Sequence, residues 1–329
     1  FEEMGKVAVS MIHQFDSQNV SNTFWAFACV MLHDAPLLAA SSGRAMLLMP
    51  EFSMQELANV AWAFATLSVC DHPIHDLLSD HALQLLSHGA DSSPHNMGGM
   101  RLFLVNVCAL AWSYTLMQQS DRTLLKVAEQ VLRNLGSSKY VVVPRQELRP
   151  IPISEVQPRL VSLMKGMCLV LKPAGWEVDS EGHSGLRRLS DFLRNHLPSD
   201  RTMIDAVDFG RGFIHRLDTP SSGLILAATS LQGYCSLEWQ MYTYQIVRDY
   251  VVLSHDGLPS DLQDVQHRIL DTHTVMVSER GRPAQSFFRL LGSFRLEKLA
   301  SLVAIRIRTG RRHQIRVHLQ SCGCPSVAD

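Results

Sequence analysis

Two stretches of this chain place reactive side-chain types where chemistry could use them. The first is Gly212-Phe213-Ile214-His215-Arg216-Leu217-Asp218-Thr219-Pro220-Ser221-Ser222-Gly223-Leu224-Ile225-Leu226. Apolar residues run into a turn built from Asp, Thr, Pro, Ser and Gly, then leave it in the apolar run Leu224 to Ala228, which reads as a buried strand. Arg216 and Asp218 therefore sit where a strand breaks into a turn, a place where a carboxylate can face a cleft. Taken alone, an Asp-x-Pro turn is more often structural than chemical. The second stretch is basic. Val303, Ile305 and Ile307 alternate with Ala304, Arg306 and Arg308, which predicts a strand with one wet, basic face. Thr309-Gly310 breaks that strand and is expected to open a helix carrying Arg312 and Arg316 one turn apart. Arg306, Arg308, Arg311, Arg312 and Arg316 put five guanidiniums into eleven residues beside a helix amino-terminus, a setting that favours phosphate. By itself such a run is usually a solvated face.

The elements that must position these groups follow from periodicity. Met167 to Leu171 reads as a strand, and Lys172-Pro173-Ala174-Gly175-Trp176 turns the chain out of it. Leu186, Leu189, Phe192, Leu193 and Leu197 mark one face of a short helix, with Arg187, Arg188 and Arg194 expected in solvent. Ser230 to Tyr242 has helical character. Tyr244 to Leu253 returns to a strand with Tyr244, Ile246, Arg248, Tyr250 and Val252 on one face. Residues 273–290 read as a hairpin with Glu279-Arg280-Gly281-Arg282-Pro283 at its tip.

Three of these strings together resemble the RluA-type RNA pseudouridine synthases. His215-Arg216-Leu217-Asp218 with Ser222-Gly223-Leu224 is similar to the core motif of that family, Lys172-Pro173-Ala174-Gly175 to its first motif, and Thr309-Gly310-Arg311-Arg312-His313-Gln314-Ile315-Arg316-Val317-His318-Leu319 to its third. Arg248-Asp249-Tyr250-Val251-Val252-Leu253 resembles a further pattern, with Arg248 where Lys is usual and Val252 where Ala is usual. Past Gly323 the family's His-Pro-Ile-x-Gly-Asp gives way to Cys324-Pro325-Ser326-Val327-Ala328-Asp329, and Ser221 stands where Thr is common. The resemblance implies that Asp218 is the catalytic residue, that Tyr250 lies against the target uridine, and that Arg316 is the counter-ion of Asp218. It also implies an RNA surface that includes Lys172, Arg216, Arg308, Arg311, Arg312 and His313. The reaction it implies needs no cofactor and no metal.

The bulk of the chain fits such an assignment. Its 329 residues, 46% hydrophobic with mean hydropathy +0.03, suffice for two globular domains. Seven scattered cysteines, an odd number, point to reduced thiols in an intracellular protein. Cys322-Gly323-Cys324 lacks a second pair at ligand spacing, so no metal site is expected. No apolar run in the sequence reads as a membrane span, so no membrane partner is expected. The chain starts at Phe1 and stops where relatives continue, and is expected to be a fragment. Charge is uneven: residues 1–135 hold 6 basic and 12 acidic residues, net −6, and residues 136–329 hold 24 and 19, net +5. A polyanion should meet the second half first.

Residues 1–135 repeat themselves. Phe15, Asn22, Trp25 and Phe27 return as Phe52, Asn59, Trp62 and Phe64 at an offset of 37, and Ala111-Trp112-Ser113-Tyr114 is a weaker third copy after the polar stretch Ser87 to Gly99. A period of this length, rich in Ala, Leu and Trp, predicts stacked helical hairpins. Ser17 and Ser53 are expected as amino-terminal caps, and the Trp and Phe stripe as the core between repeats. The repeats resemble octotricopeptide-type repeats of organellar RNA-handling proteins, which leaves a plastid or mitochondrial address open. The acidic balance favours a protein contact over RNA for this region.

The sequence therefore predicts an all-α helical-repeat solenoid over 1–140, a proline-rich linker over 141–160, and over 161–329 an α/β pseudouridine synthase domain with a mixed, largely antiparallel sheet. RNA is the expected partner, with a protein partner on the repeats. The competing expectations are a catalytically inactive RNA-binding module and a helical-repeat scaffold.

Overall fold

The computed structural model describes residues 2–70, 72–88, 97–118, 122–137, 157–179, 187–197, 202–259, 262–295 and 299–327. Most of the linker expected at 141–160, most of the polar stretch 87–99, and Leu186 lie outside the described residues. Seven helices come first: α1 (Glu2–Met11), α2 (Ser17–Cys29), α3 (Ala35–Leu48), α4 (Met54–Leu67), α5 (Ile74–His88), α6 (Met97–Leu116) and α7 (Arg122–Gly136). The strands β1 (Arg159–Met164), β2 (Met167–Lys172), β3 (Trp176–Glu177) and β4 (Arg187–Arg188) follow, then α8 (Leu189–His196), β5 (Gly223–Ala228) and α9 (Leu231–Tyr242). The chain continues through β6 (Arg248–His255), β7 (Asp264–Val265), β8 (Ile269–Asp271), β9 (Val275–Val277), β10 (Ser286–Arg295), β11 (Leu299–Ile307) and α10 (Gln314–Ser321).

The repeat is real in three dimensions. Arg44 Nε on α3 donates to the carbonyl of Phe15 at 2.9 Å, and His81 Nε2 on α5 donates to the carbonyl of Phe52 at 3.0 Å. Donor and acceptor both advance by the same offset of 37, so the second hairpin rebuilds the first with a different donor. At the start of α4, Ser53 and Glu56 exchange hydrogen bonds as a capping box. At the start of α2 the cap is Asp16, whose carboxylate accepts from the Asn19 amide at 2.7 Å, and not Ser17, which is already helical.

The aromatic stripe divides. Phe24, Phe27, Phe52, Phe64 and Tyr114 are buried, and the Tyr114 hydroxyl donates to the carbonyl of His75 at 2.7 Å. The repeat tryptophans face the other way: Trp25 is 48% exposed, and Trp62 and Trp112 are half-buried. Successive helical residues turn by about 100°, so Trp25 and Phe27 point about 200° apart and cannot share one core.

The chain packs as two compact units. One contains Phe1–Leu48, Asn59–His72 and Tyr244–Asp329, and the other Met49–Ala58 and Pro73–Thr243. Each holds helices from the repeat region together with strands from the second half. In the first unit, β6-β11-β10-β7 form an antiparallel sheet in that order, and β8 pairs with β9. Val303, Ile305 and Ile307 point inward with Phe288 and Leu319, as the alternation predicts. The hairpin expected over 273–290 does not form, because β9 takes β8 as its partner and β10 takes β11 and β7. β6 also starts at Arg248 and not at Tyr244, whose φ of +58° interrupts the strand.

In the second unit β1-β2-β5 form an antiparallel sheet, while β3 and β4 pair in parallel. The strands thus form four separate sheets among the described residues, antiparallel except for β3-β4. α8 packs Leu189, Phe192 and Leu193 onto Cys168, Val170 and Ile225. Arg194 is not in solvent: it is 8% exposed and pairs with Asp191 at 2.7 Å and Asp205 at 2.8 Å. α9 lies against α6 and α7, so closely at one point that a Cβ on Gly136 would meet the Gln232 backbone at 2.7 Å. Against expectation, Gly98–Leu116 of α6 is long and apolar enough to cross a membrane by length and composition, with half of it buried inside the protein.

Candidate active site

The Asp218 turn is held from two sides within its unit. Phe213 bridges to Ala227, and the Leu226 amide donates to His215 Nε2 at 3.0 Å, which leaves the proton of the neutral ring on Nδ1. The two arms of the turn are thereby zipped before it begins. The Ser221 amide closes the turn onto the Asp218 carbonyl at 3.0 Å. Gly223, at a φ of +154°, returns the chain to β5 opposite Lys172.

Beneath the turn lies Lys172, the last residue of β2 and 0% exposed. Its ammonium donates to the carbonyls of Ser221 at 2.7 Å, Pro173 at 3.1 Å and Thr219 at 3.3 Å. The Gly175 amide adds a bond to the Thr219 carbonyl at 2.8 Å. Three donors meet three acceptors, so the buried charge is satisfied without an ion pair. Burial pushes the Lys172 pKa down, and the negative charge of Asp218 pulls it back up. This arrangement corrects the sequence reading: Lys172 cannot reach RNA, and it shapes the turn that presents Asp218. Asp218 itself is half-buried and Arg216 is exposed.

The remaining residues expected at the site belong to the other unit. Tyr250 lies on β6, half-buried, across from Ile305 of β11. The five guanidiniums of the third motif do not act as one patch. Arg306 makes a two-pronged bond with Asp249 at 2.7 and 2.9 Å, which holds that carboxylate below its usual range. Arg308 stacks over the Tyr244 ring, 4.8 Å from its centre. Arg311 is half-buried and donates to the Pro283 carbonyl at 3.2 Å, while burial and the charge of Arg282 lower its pKa. Arg312 is not on the helix: it precedes α10, pairs with Asp271 at 2.9 Å and donates to the Thr272 carbonyl at 2.8 Å. His313, with a φ of +51°, is the turn residue that admits the helix, and Arg316 is half-buried in its first turn.

Sequence reasoning missed what holds this loop. Gln314, 3% exposed, accepts at Oε1 from the Thr309 hydroxyl at 2.8 Å and from the Arg311 amide at 3.0 Å. Its Nε2 donates to the Gln285 carbonyl and to Ser286 Oγ, both at 3.0 Å. One turn on, the buried His318 donates from Nε2 to the His267 carbonyl at 2.9 Å and accepts at Nδ1 from Ser286 Oγ at 3.0 Å. Burial lowers its pKa, so the ring is neutral. The signal was present as two polar residues four apart on an otherwise apolar helix face. Arg248 was also overlooked as a structural group. Its Nη2 donates to the Arg308 carbonyl at 2.9 Å, its Nε is buried with no hydrogen-bond partner among the described residues, and burial lowers its pKa.

Among the described residues no group of histidine, cysteine or carboxylate side chains is placed to hold a metal ion. Residues 166–321 match the family model described as RNA pseudouridylate synthase. The chain is 31% identical over 167 residues to ribosomal large subunit pseudouridine synthase D of Nitrosomonas europaea, covering 50% of this chain and 46% of that protein. It is 27% identical over 170 residues to ribosomal large subunit pseudouridine synthase C of Buchnera aphidicola subsp. Schizaphis graminum, covering 50% of each. The chain thus spans about half the length of these curated relatives. A solved structure, human RNA pseudouridylate synthase domain containing 1, aligns with a TM-score of 0.44 at 22% identity, over 55% of this chain and 71% of that one. By its sequence, the segment 166–321 of this chain is similar to the RNA pseudouridylate synthase family.

Proposed function

We propose that the protein isomerises uridine to pseudouridine within RNA, with Asp218 as the catalytic carboxylate. The observation that carries this reading is the Asp218 turn, which falls inside the matched segment and is fixed by the buried Lys172 ammonium. A site that must hold one carboxylate in one orientation through several steps benefits from such rigidity. The reaction breaks the bond from N1 of the base to C1′ of ribose, turns the base, and rejoins C1′ to C5. The C5 hydrogen leaves as a proton and N1 gains one, so nothing is consumed. Asp218 either attacks C1′ as a nucleophile or assists removal of the ribose 2′ proton towards a glycal. Tyr250, packing on the base, and Arg316, balancing a carboxylate charge, keep the roles that the motif resemblance gives them. A paired uridine would have to be flipped out of its stack to react.

The test is Asp218→Asn, which keeps volume and removes charge. Release of tritium from uridine labelled at C5 should fall by several orders of magnitude, with RNA affinity little changed. Release near the wild-type rate would reduce Asp218 to a turn residue. Absence of release from the wild-type protein on any cellular RNA would favour an RNA-binding module without turnover.

A further inference from the structure

The first unit contains a basic cluster that reaches the helical repeats. Arg282 is exposed, yet its backbone is fixed: its amide donates to the Ile269 carbonyl at 2.8 Å and its carbonyl accepts from the Ile269 amide at 2.9 Å. From this anchor its guanidinium sits over the indole of Trp62 on α4, 5.8 Å from the ring centre. That is near the outer limit for a cation–π contact, and Trp62 stays half-buried. Trp25, its equivalent one repeat earlier, is 48% exposed. On the other side Arg282 raises the local positive potential at Arg311, which follows Arg308 and Gly310 in the third motif. Among the described residues, neither Arg282 nor Arg311 forms an ion pair, whereas Arg306 and Arg312 do. Two guanidiniums that feel each other's charge, with no carboxylate paired to either among the described residues, are held at an electrostatic cost unless an anion joins them.

We propose that Trp62 and Arg282, with Arg311 next in line, form a subsite for single-stranded RNA beside the third motif, so that the helical repeats supply a base-stacking residue for the RNA. The inference rests on the pseudouridine synthase reading for the identity of its ligand. An indole offers a face to any base, and adjacent guanidiniums hold the phosphates between stacked bases, which is how strands are gripped without regard to sequence. It also revises the expectation that the acidic repeats favour a protein contact over RNA, because the repeat contributes the ring and the second half contributes the charge. An acidic protein segment would use the two guanidiniums but would gain little from the tryptophan.

The test is binding of a fluorescein-labelled oligouridylate to the full chain across a range of salt, for wild type, Trp62→Leu and Arg282→Gln. Trp62→Leu should weaken binding about tenfold and leave the salt slope unchanged, because it removes stacking and no charge. Arg282→Gln should weaken binding and lower the slope by about 0.7, the share of one phosphate contact on a single strand. Melting temperatures serve as the folding control, and Arg282, being exposed, remains informative if Trp62→Leu is unstable. Unchanged affinity in a folded Arg282→Gln variant overturns the proposal, as does a loss of affinity for an acidic peptide but not for oligouridylate. Unchanged variants alongside wild-type tritium release would sink the subsite and spare the function. Weakened variants of a wild type that releases no tritium would do the reverse.

Discussion

Lys172 Nζ lies 2.7 Å from the carbonyl oxygen of Ser221, three residues past Asp218 and on the far side of the turn from solvent. The bond makes the lysine a positioning residue. Lys172→Met fills the volume but takes the ammonium from the Pro173 and Ser221 carbonyls and leaves the Thr219 carbonyl with the Gly175 amide alone, so it should cost about 2–4 kcal/mol of stability by urea denaturation. Turnover should fall more than RNA affinity does. A variant that folds and turns over as the wild type would show that the turn holds its shape without the ammonium.

Glu238 sits on α9 among Tyr234, Cys235, Tyr242, Cys108 and Arg101. Burial raises its pKa to about 7, and the Tyr234 hydroxyl and Arg101 hold it back from rising further. Cys235 is pushed up to about 12, and Tyr234 and Tyr242 also rise, in each case mainly by burial and next by the Glu238 charge. The fold thus binds the Glu238 proton more tightly than the unfolded chain, where the group titrates near 4.5. Its contribution to stability is full below that pH and is lost as pH rises to about 7. Glu238→Gln should therefore be more stable than wild type near pH 8, by about 1–2 kcal/mol, and show no such gain near pH 4. Equal pH profiles of melting temperature for the two proteins would refute the assignment.

Gln314 joins Thr309, the Arg311 amide, Gln285 and Ser286 through one side chain. Gln314→Leu should cost about 2–4 kcal/mol, because it strands several buried polar groups at once. Gln314→Glu should be no better, since it loses the two bonds made by Nε2. Both should weaken RNA binding through the loosened loop that carries Arg311. Wild-type stability in either variant would mean that the loop is held by its backbone alone.

His318 is buried neutral, with its pKa lowered from the ordinary 6.5. The unfolded chain therefore takes up this proton first as pH falls. The stability contributed by the neutral ring is present above about 6.5 and is lost as pH drops through that value and below. His318→Gln should flatten the acid limb of the melting curve below about pH 6.5. An acid limb as steep as that of wild type would place the sensitivity elsewhere.

The sequence told most where a pattern was long and its partners were near. The strand-turn-strand around Asp218 and the alternation of Val303, Ile305 and Ile307 both stand in the structure, because period two leaves one way to bury an apolar face. Partner choice was beyond it. Nothing local in 273–290 says that Val275 to Val277 will pair backwards with Ile269 to Asp271. Charge misled for a related reason: Arg194 looks like a solvent residue until Asp205, outside its helix, closes on it. Lys172 was misread in the same way, since the carbonyls that bury it come from a turn 47 to 49 residues away. Trp25 and Trp62 were placed in the core on composition alone, where helical angle counted with their phenylalanine neighbours would have turned them outward.

The division of the chain into two units has a consequence for synthesis. The first unit takes α1 to α3 from the start of the chain and its four-stranded sheet from residues 244 onward. At ribosomal speeds the early helices must wait roughly ten to forty seconds for that sheet to appear. In that interval the second unit can close, since its main segment is continuous from Pro73 to Thr243. The nascent chain therefore finishes its middle before its beginning, and a ribosome that stalls after Thr243 would leave α1 to α3 without the strands that complete their unit.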